Sequence, residues 1–132
     1  MALAGLHVVE LAEGIAGPYA AKVLADLGAE VIKIELPPSG DVARQYGPFP
    51  GHQPHPERSG AFLYLNTNKQ SLLLDLDTLE GQRLGRTLLA HADLFIEDRP
   101  PGWLAARHLD YPTLQQRHPA LVMVSLTRFG QT

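Results

Sequence analysis

The sequence predicts an α/β fold, a parallel sheet with helices on both faces, on three observations. Short apolar, β-branched runs recur five times along the chain. Segments with helical spacing or helix-start signals fall between them. The runs are apolar almost throughout instead of alternating, as strands covered on both faces are.

Residues 6–11 (LHVVEL) are the first strand. Residues 12–18 turn the chain, and Pro18 stands as a first helical residue because its φ already suits a helix. Residues 19–27 carry Ala20, Val23, Leu24 and Leu27 at helical spacing, and Gly28 stops that helix. Residues 30–36 (EVIKIEL) are the second strand, with Lys33 and Glu35 toward its edge or end. Residues 37–60 are too rich in proline and glycine for a helix or central strand. Residues 61–66 fit a short helix or an extended segment, and 71–76 (SLLLDL) a third strand. Asp77 or Thr78 caps a helix over 79–91, with Glu80 in the first turn, where the helix dipole favours an anion. Residues 93–97 form a fourth strand, 103–107 a short helix, 111–117 another with Asp110 as its cap, and 121–126 a fifth strand. A parallel strand ending a few residues before Thr132 leads us to expect a truncated unit, residues 1–132 being the N-terminal part of a larger two-domain fold.

Composition narrows the function. A hydrophobic fraction of 45% in 132 residues fits one core and one domain. The net charge is −3, with Lys and Arg neither in excess nor bunched, so nucleic acid is not an expected partner. There is no cysteine, hence no thiolate nucleophile or thiolate metal site. The six histidines lack the spacing of a helical metal site, and no metal is expected. No apolar run approaches the ~18 residues of a membrane span. The start lacks the basic region of a signal peptide, so a cytoplasmic location without a membrane partner is the expectation.

Ligands of open α/β sheets bind at the carboxyl ends of the strands. That rule selects residues 12–18, 37–44, 98–102 and 127–132. Gly14 and Gly17 would admit a ligand close to the backbone, and a following helix N-terminus offers free N–H groups to phosphate. A nicotinamide dinucleotide is disfavoured. Gly14-Ile15-Ala16-Gly17 lacks the paired glycines of that motif, although Glu35 is placed like its ribose-binding acid.

These loops carry a resemblance. Val9-Glu10-Leu11-Ala12 with Ala16-Gly17-Pro18, then residues 24–35 (LADLGAEVIKIE), are similar to the opening of family III CoA-transferases of the CaiB/BaiF type. Gly40-Asp41 with Arg44, Leu65-Asn66-Thr67-Asn68-Lys69, Glu97 with Pro101-Gly102, and Phe129-Gly130-Gln131-Thr132 continue the match in order. The resemblance implies a Rossmann-like, coenzyme-A-binding N-terminal domain and an enzyme that moves CoA between an acyl-CoA and a carboxylic acid. It also implies an interlocked homodimer of the whole protein and an aspartate nucleophile that lies beyond Thr132, leaving this chain inactive alone.

Carried over residue by residue, the resemblance implies CoA contacts at Gly14, Ile15, Ala16, Arg44, Leu65, Lys69, Asp98 and Arg99, with the lysine meeting a phosphate. Asp98-Arg99 stands where many members have Asn-Phe, so Asp98 points away from the phosphate or is compensated by Arg99. Leu36 and Ala106 replace arginines of some members. Trp103 reads as a packing anchor. Two alternatives stay open: an α-methylacyl-CoA racemase of the same superfamily, and a non-catalytic CoA- or nucleotide-binding module.

Overall fold

The computed structural model describes residues 1–131; Thr132, the last residue of the Phe-Gly-Gln-Thr motif, lies outside the described residues. Five strands form one parallel sheet in the order β3-β2-β1-β4-β5. They are β1 (His7–Leu11), β2 (Glu30–Glu35), β3 (Gln70–Leu73), β4 (Leu94–Glu97) and β5 (Val122–Ser125). The helices are α1 (Ala16–Asp26), α2 (Gly60–Leu65), α3 (Leu79–Leu89) and α4 (Tyr111–Arg117).

β1 sits in the middle because it pairs with β2 on one side and β4 on the other. The chain builds outward from β1 through β2 and β3, then returns to build β4 and β5 on the opposite side. The strand order therefore reverses between β1 and β4, and a crevice opens at their carboxyl ends.

Two apolar layers sandwich the sheet, and the strand period of two sorts residues between them. Val8 packs with Ala21 and Ala25 of α1, together with Val31 and Ile96. Val9 and Leu11 face the other way, onto Leu89 of α3, Leu114 of α4, Leu104 and Leu109, with Phe95 between them.

Several boundaries differ from the sequence reading for identifiable reasons. α1 begins at Ala16, so Pro18 is its third residue; the first turn needs no intrahelical N–H donor, which makes proline tolerable there. β3 starts one residue earlier than expected and ends at Leu73. It is an edge strand with all four residues exposed, and the rest of its apolar run leaves the sheet to bury Leu74 and Leu76 in the core. Residues 60–65 resolve as helix because the Ser59 side chain accepts from the Phe62 N–H. Thr78, not Asp77, caps α3 through the Gly81 N–H at 2.9 Å. Asp110 occupies the cap position of α4, but its carboxylate takes the Thr113 hydroxyl instead of a backbone N–H. Residues 105–107 make only a 3₁₀ turn.

The expectation for Lys33 is corrected: it is buried inside β2, which lies between β1 and β3, while Glu35 closes that strand as expected and is buried too.

Candidate functional site

The loop after β1 is held from below by charged side chains that never reach water. Glu10 and Lys33 face each other across the β1–β2 pairing, where they are register partners. Lys33 is 1% exposed and Glu10 0%. The Lys33 Nζ donates to Glu10 Oε1 at 2.9 Å and lies 2.7 Å from Asp41 Oδ2. Lys69, with a 2% exposed side chain, places its Nζ 2.7 Å from Glu10 Oε2. The contacts at Glu10 Oε2 and Asp41 Oδ2 are ion pairs without hydrogen-bond alignment. Two carboxylates and two ammonium groups thus balance within one cluster. Removal from water would be prohibitive for any of them alone.

The same side chains reach the backbone of the loop. Lys33 Nζ donates to the Ala12 carbonyl at 2.7 Å. Asp41 Oδ1 accepts from the Gly14 N–H at 2.9 Å and from the Ala43 N–H at 2.8 Å. Lys69 Nζ donates to the Pro18 carbonyl and to Asn66 Oδ1, both at 2.8 Å. Burial pushes the Lys69 ammonium down to a pKa of about 8, with the Glu10 carboxylate opposing that shift.

A second cluster anchors the loop after β2. Glu35 accepts from Arg44 Nε at 2.8 Å and Nη2 at 2.7 Å, and from the Asp41 N–H at 2.9 Å. The Ser71 hydroxyl also donates to it. Arg44 continues to Glu57 and lies over the Phe62 ring. Burial by itself would raise the Glu35 pKa. The Arg44 guanidinium, the Asp41 amide and the Ser71 hydroxyl outweigh that and hold it at about 2, below its ordinary 4.5.

A carboxylate with a depressed folded pKa stabilises the fold above its unfolded pKa and loses that contribution as pH falls through the folded one. For Glu35 this is worth roughly 3 kcal/mol. Denaturant unfolding at stepped pH should therefore show stability falling between pH 4.5 and about 2, and Glu35→Gln should flatten that part of the profile. An identical slope in the variant would contradict the assignment.

The third anchor comes from the loop after β4. The Glu13 N–H donates to Asp98 Oδ2 at 2.9 Å. Arg99 Nη2 binds Asp98 Oδ1 at 2.6 Å and Glu13 Oε2 at 3.0 Å. Arg99 thus neutralises Asp98, as the second of the two possibilities at that departure required. Trp103 packs against the core with the Arg107 guanidinium 3.6 Å from its ring centre.

Above these anchors lies the start of α1. Its cap position is Ile15, whose side chain offers no acceptor, and its first turn holds no acid. The α1 N-terminus therefore keeps N–H groups that no cap side chain satisfies, at the carboxyl end of β1. Ile15 is 64% exposed and Ala16 is also exposed. Gly14 has φ 75°, which an L side chain rarely adopts. Gly17 serves packing rather than access: a Cβ there would lie 2.3 Å from the Ala12 Cβ.

The structure brings Gly14, Ile15, Ala16, Arg44, Asp98 and Arg99 to the strand carboxyl ends, whereas Lys69 precedes β3 and reaches the start of α1 only through its side chain. It presents only part of that set outward. Leu65 is buried, and the Lys69 ammonium points into the cluster. Each of the four cations here, Lys33, Lys69, Arg44 and Arg99, is paired with a carboxylate. Sequence reasoning missed the roles of Glu10, Lys33 and Asp41. A usable signal existed: charges inside near-continuous apolar strands of a parallel sheet have to be paired.

An open groove of about 660 Å³ runs past Glu35, Gly40, Arg44 and Ser71. A hollow of about 610 Å³ lies instead between α3 and α4, lined by Arg83, Arg86 and Arg117, away from these loops. Arg86 and Arg117 stand in the last turns of α3 and α4, where they complement the dipole, and Arg83 pairs with Glu80. Among the described residues no group of three or more His, Asp or Glu could hold a metal ion. None of the described helices is long and apolar enough to cross a membrane.

A five-stranded parallel sheet with its strand order reversing at β1 and β4, and a loop-to-helix turn at that point, defines an open α/β protein. The model of CoA-transferase family III matches residues 3–132, and the chain belongs to that family. The succinate–glutarate CoA-transferase of Agrobacterium fabrum is 44% identical over 132 residues, covering 98% of this chain and 33% of the relative. Human succinyl-CoA:glutarate CoA-transferase is 37% identical over 131 residues, covering 98% and 29%. The crystal structure of a CaiB/BaiF family protein from Brucella suis superposes with a TM-score of 0.88 at 41% identity, covering 98% of this chain and 34% of that one. The chain thus spans about a third of the length of these relatives.

Proposed function

We propose that this chain is the coenzyme-A-binding part of an enzyme that transfers CoA between an acyl-CoA and a carboxylic acid. The observation that carries the reading is the open N-terminus of α1, held at the strand-order reversal in a chain of this family. Gly14, Ile15 and Ala16 supply the contact surface, where backbone N–H groups meet a phosphate. Arg44, Asp98 and Arg99 flank it. Leu65 and Lys69 support it from beneath, and Lys69 would meet a phosphate only on leaving Glu10.

The chemistry of the reading is covalent catalysis by a carboxylate. An aspartate beyond Thr132 attacks the thioester carbonyl and expels the CoA thiolate, leaving a mixed anhydride. The thiolate then attacks the aspartyl carbonyl, releases the donor acid and forms an enzyme-linked CoA thioester. The acceptor carboxylate attacks that thioester, and the same two steps run in reverse to yield the new acyl-CoA. Holding the thiolate between its two attacks requires the nucleotide end of CoA to stay bound, which is the part this domain plays.

The names of the relatives make succinyl-CoA the first donor to test. The full-length protein should transfer CoA from succinyl-CoA to a carboxylate acceptor. It should also carry a CoA-sized mass adduct after incubation with acyl-CoA. Residues 1–132 alone should show no turnover with any acid pair. Turnover by that segment alone would contradict the placement of the nucleophile.

A further inference from the structure

The passage from β1 into the first turn of α1 is gripped at three points, and each grip comes from the buried charge cluster. Ala12 is held through its carbonyl by Lys33, Gly14 through its N–H by Asp41, and Pro18 through its carbonyl by Lys69. These points bracket Ile15 and Ala16, the exposed residues of the loop. None of the three gripping side chains is presented to solvent. We propose that Asp41, locked by Lys33, is a positioning residue that holds residues 13–16 in the conformation that receives the anionic ligand. This rests on the CoA reading above and deepens it.

Asp41 acts through its position and the sign of its charge. It lies in the loop after β2, yet it bonds the loop after β1, so it ties together two of the loops that line the crevice. Its Oδ1 serves Gly14 and Ala43, and its Oδ2 lies against Lys33. Gly14 stands at a positive φ that the free loop would leave readily. Fixing it removes an ordering cost that ligand binding would otherwise bear. A carboxylate repels a phosphate, so Asp41 has no favourable direct contact to offer. If its removal weakens CoA binding, the effect passes through the loop.

A pair of variants isolates the grip. Lys33→Met with Asp41→Asn removes both charges and keeps an acceptor for the Gly14 N–H. Lys33→Met with Asp41→Ala removes the acceptor as well. In the first, the remaining Glu10–Lys69 pair is still balanced. The acceptor-free variant should bind CoA about tenfold more weakly than the asparagine variant, the size of one hydrogen bond of preorganisation. Its Gly14 amide should exchange faster with solvent in the absence of ligand.

Equal CoA affinity in the two folded variants would overturn the proposal while leaving the CoA reading intact. No CoA binding by the unaltered chain would overturn the CoA reading first, and this inference with it. The unaltered chain supplies a check that needs no variant. Its Gly14 amide should be as protected as the β1 amides, and rapid exchange there would overturn the grip.

Discussion

Lys33→Met should lower stability by about 3–5 kcal/mol, the cost of leaving a buried carboxylate without its cation. Lys33 touches Glu10, Asp41 and the Ala12 carbonyl, and all three lose that contact at once. Methionine fills similar volume, so packing loss is small and the effect is electrostatic. Against a total of roughly 5–15 kcal/mol for a small domain, this places the variant near the edge of folding at room temperature. The companion expectation fixes the cause. Adding Asp41→Asn to Lys33→Met removes the orphaned charge and should recover most of the loss, because deleting a whole buried pair costs far less than deleting half of it. Urea unfolding of the two single variants and the double variant measures the coupling. Additive losses would show that Lys33 and Asp41 do not act as a pair.

The second large effect is expected at Gly81. A Cβ there would lie 1.7 Å from the Asp75 carbonyl oxygen and 2.6 Å from its carbon. Both atoms are backbone, so no side-chain rotation relieves the contact. Gly81 also donates its N–H to the Thr78 cap at 2.9 Å, which ties the start of α3 to that position. Gly81→Ala should therefore cost about 3 kcal/mol or more, at the upper end for overpacking. Gly47→Ala is the control: its nearest neighbour would be a Phe49 ring carbon at 3.8 Å, an ordinary contact. Thermal unfolding should separate the two variants clearly. Equal melting temperatures would contradict the account of how α3 seats on the turn before it.

Much of the fold was legible because its signals are local. The runs around Val8-Val9, Val31-Ile32 and Phe95-Ile96 are β-branched or aromatic and apolar, and they form the three inner strands. The spacing of Tyr111–Arg117 likewise matched its helix. β3 was shifted because an apolar run does not reveal where a strand leaves the sheet; Leu74 and Leu76 are buried beyond it. The start of α1 was missed because a proline is acceptable anywhere in a first helical turn, not only at its first residue.

The site divides along the same line. The loop at Gly14–Ile15–Ala16 followed from the topology rule, which needs only the order of elements. The cluster beneath it did not, because Glu10, Lys33, Asp41 and Lys69 meet only in three dimensions. Asp41 forms a local turn, accepting from the Ala43 N–H. Its bond to Gly14, 27 positions away, has no local trace. Lys69 was expected to face the ligand as a free cation. Its partner Glu10 lies 59 positions earlier in the chain, and their pairing depends on where the turn between α2 and β3 places Lys69.

The most direct measurement is amide hydrogen exchange of residues 1–132 with and without CoA, followed by mass spectrometry. The account predicts that CoA slows exchange at residues 15–17, at the open start of α1, and at Lys69, while NAD⁺ at the same concentration does not. Unchanged exchange at these positions with CoA, or equal protection by NAD⁺, would contradict it.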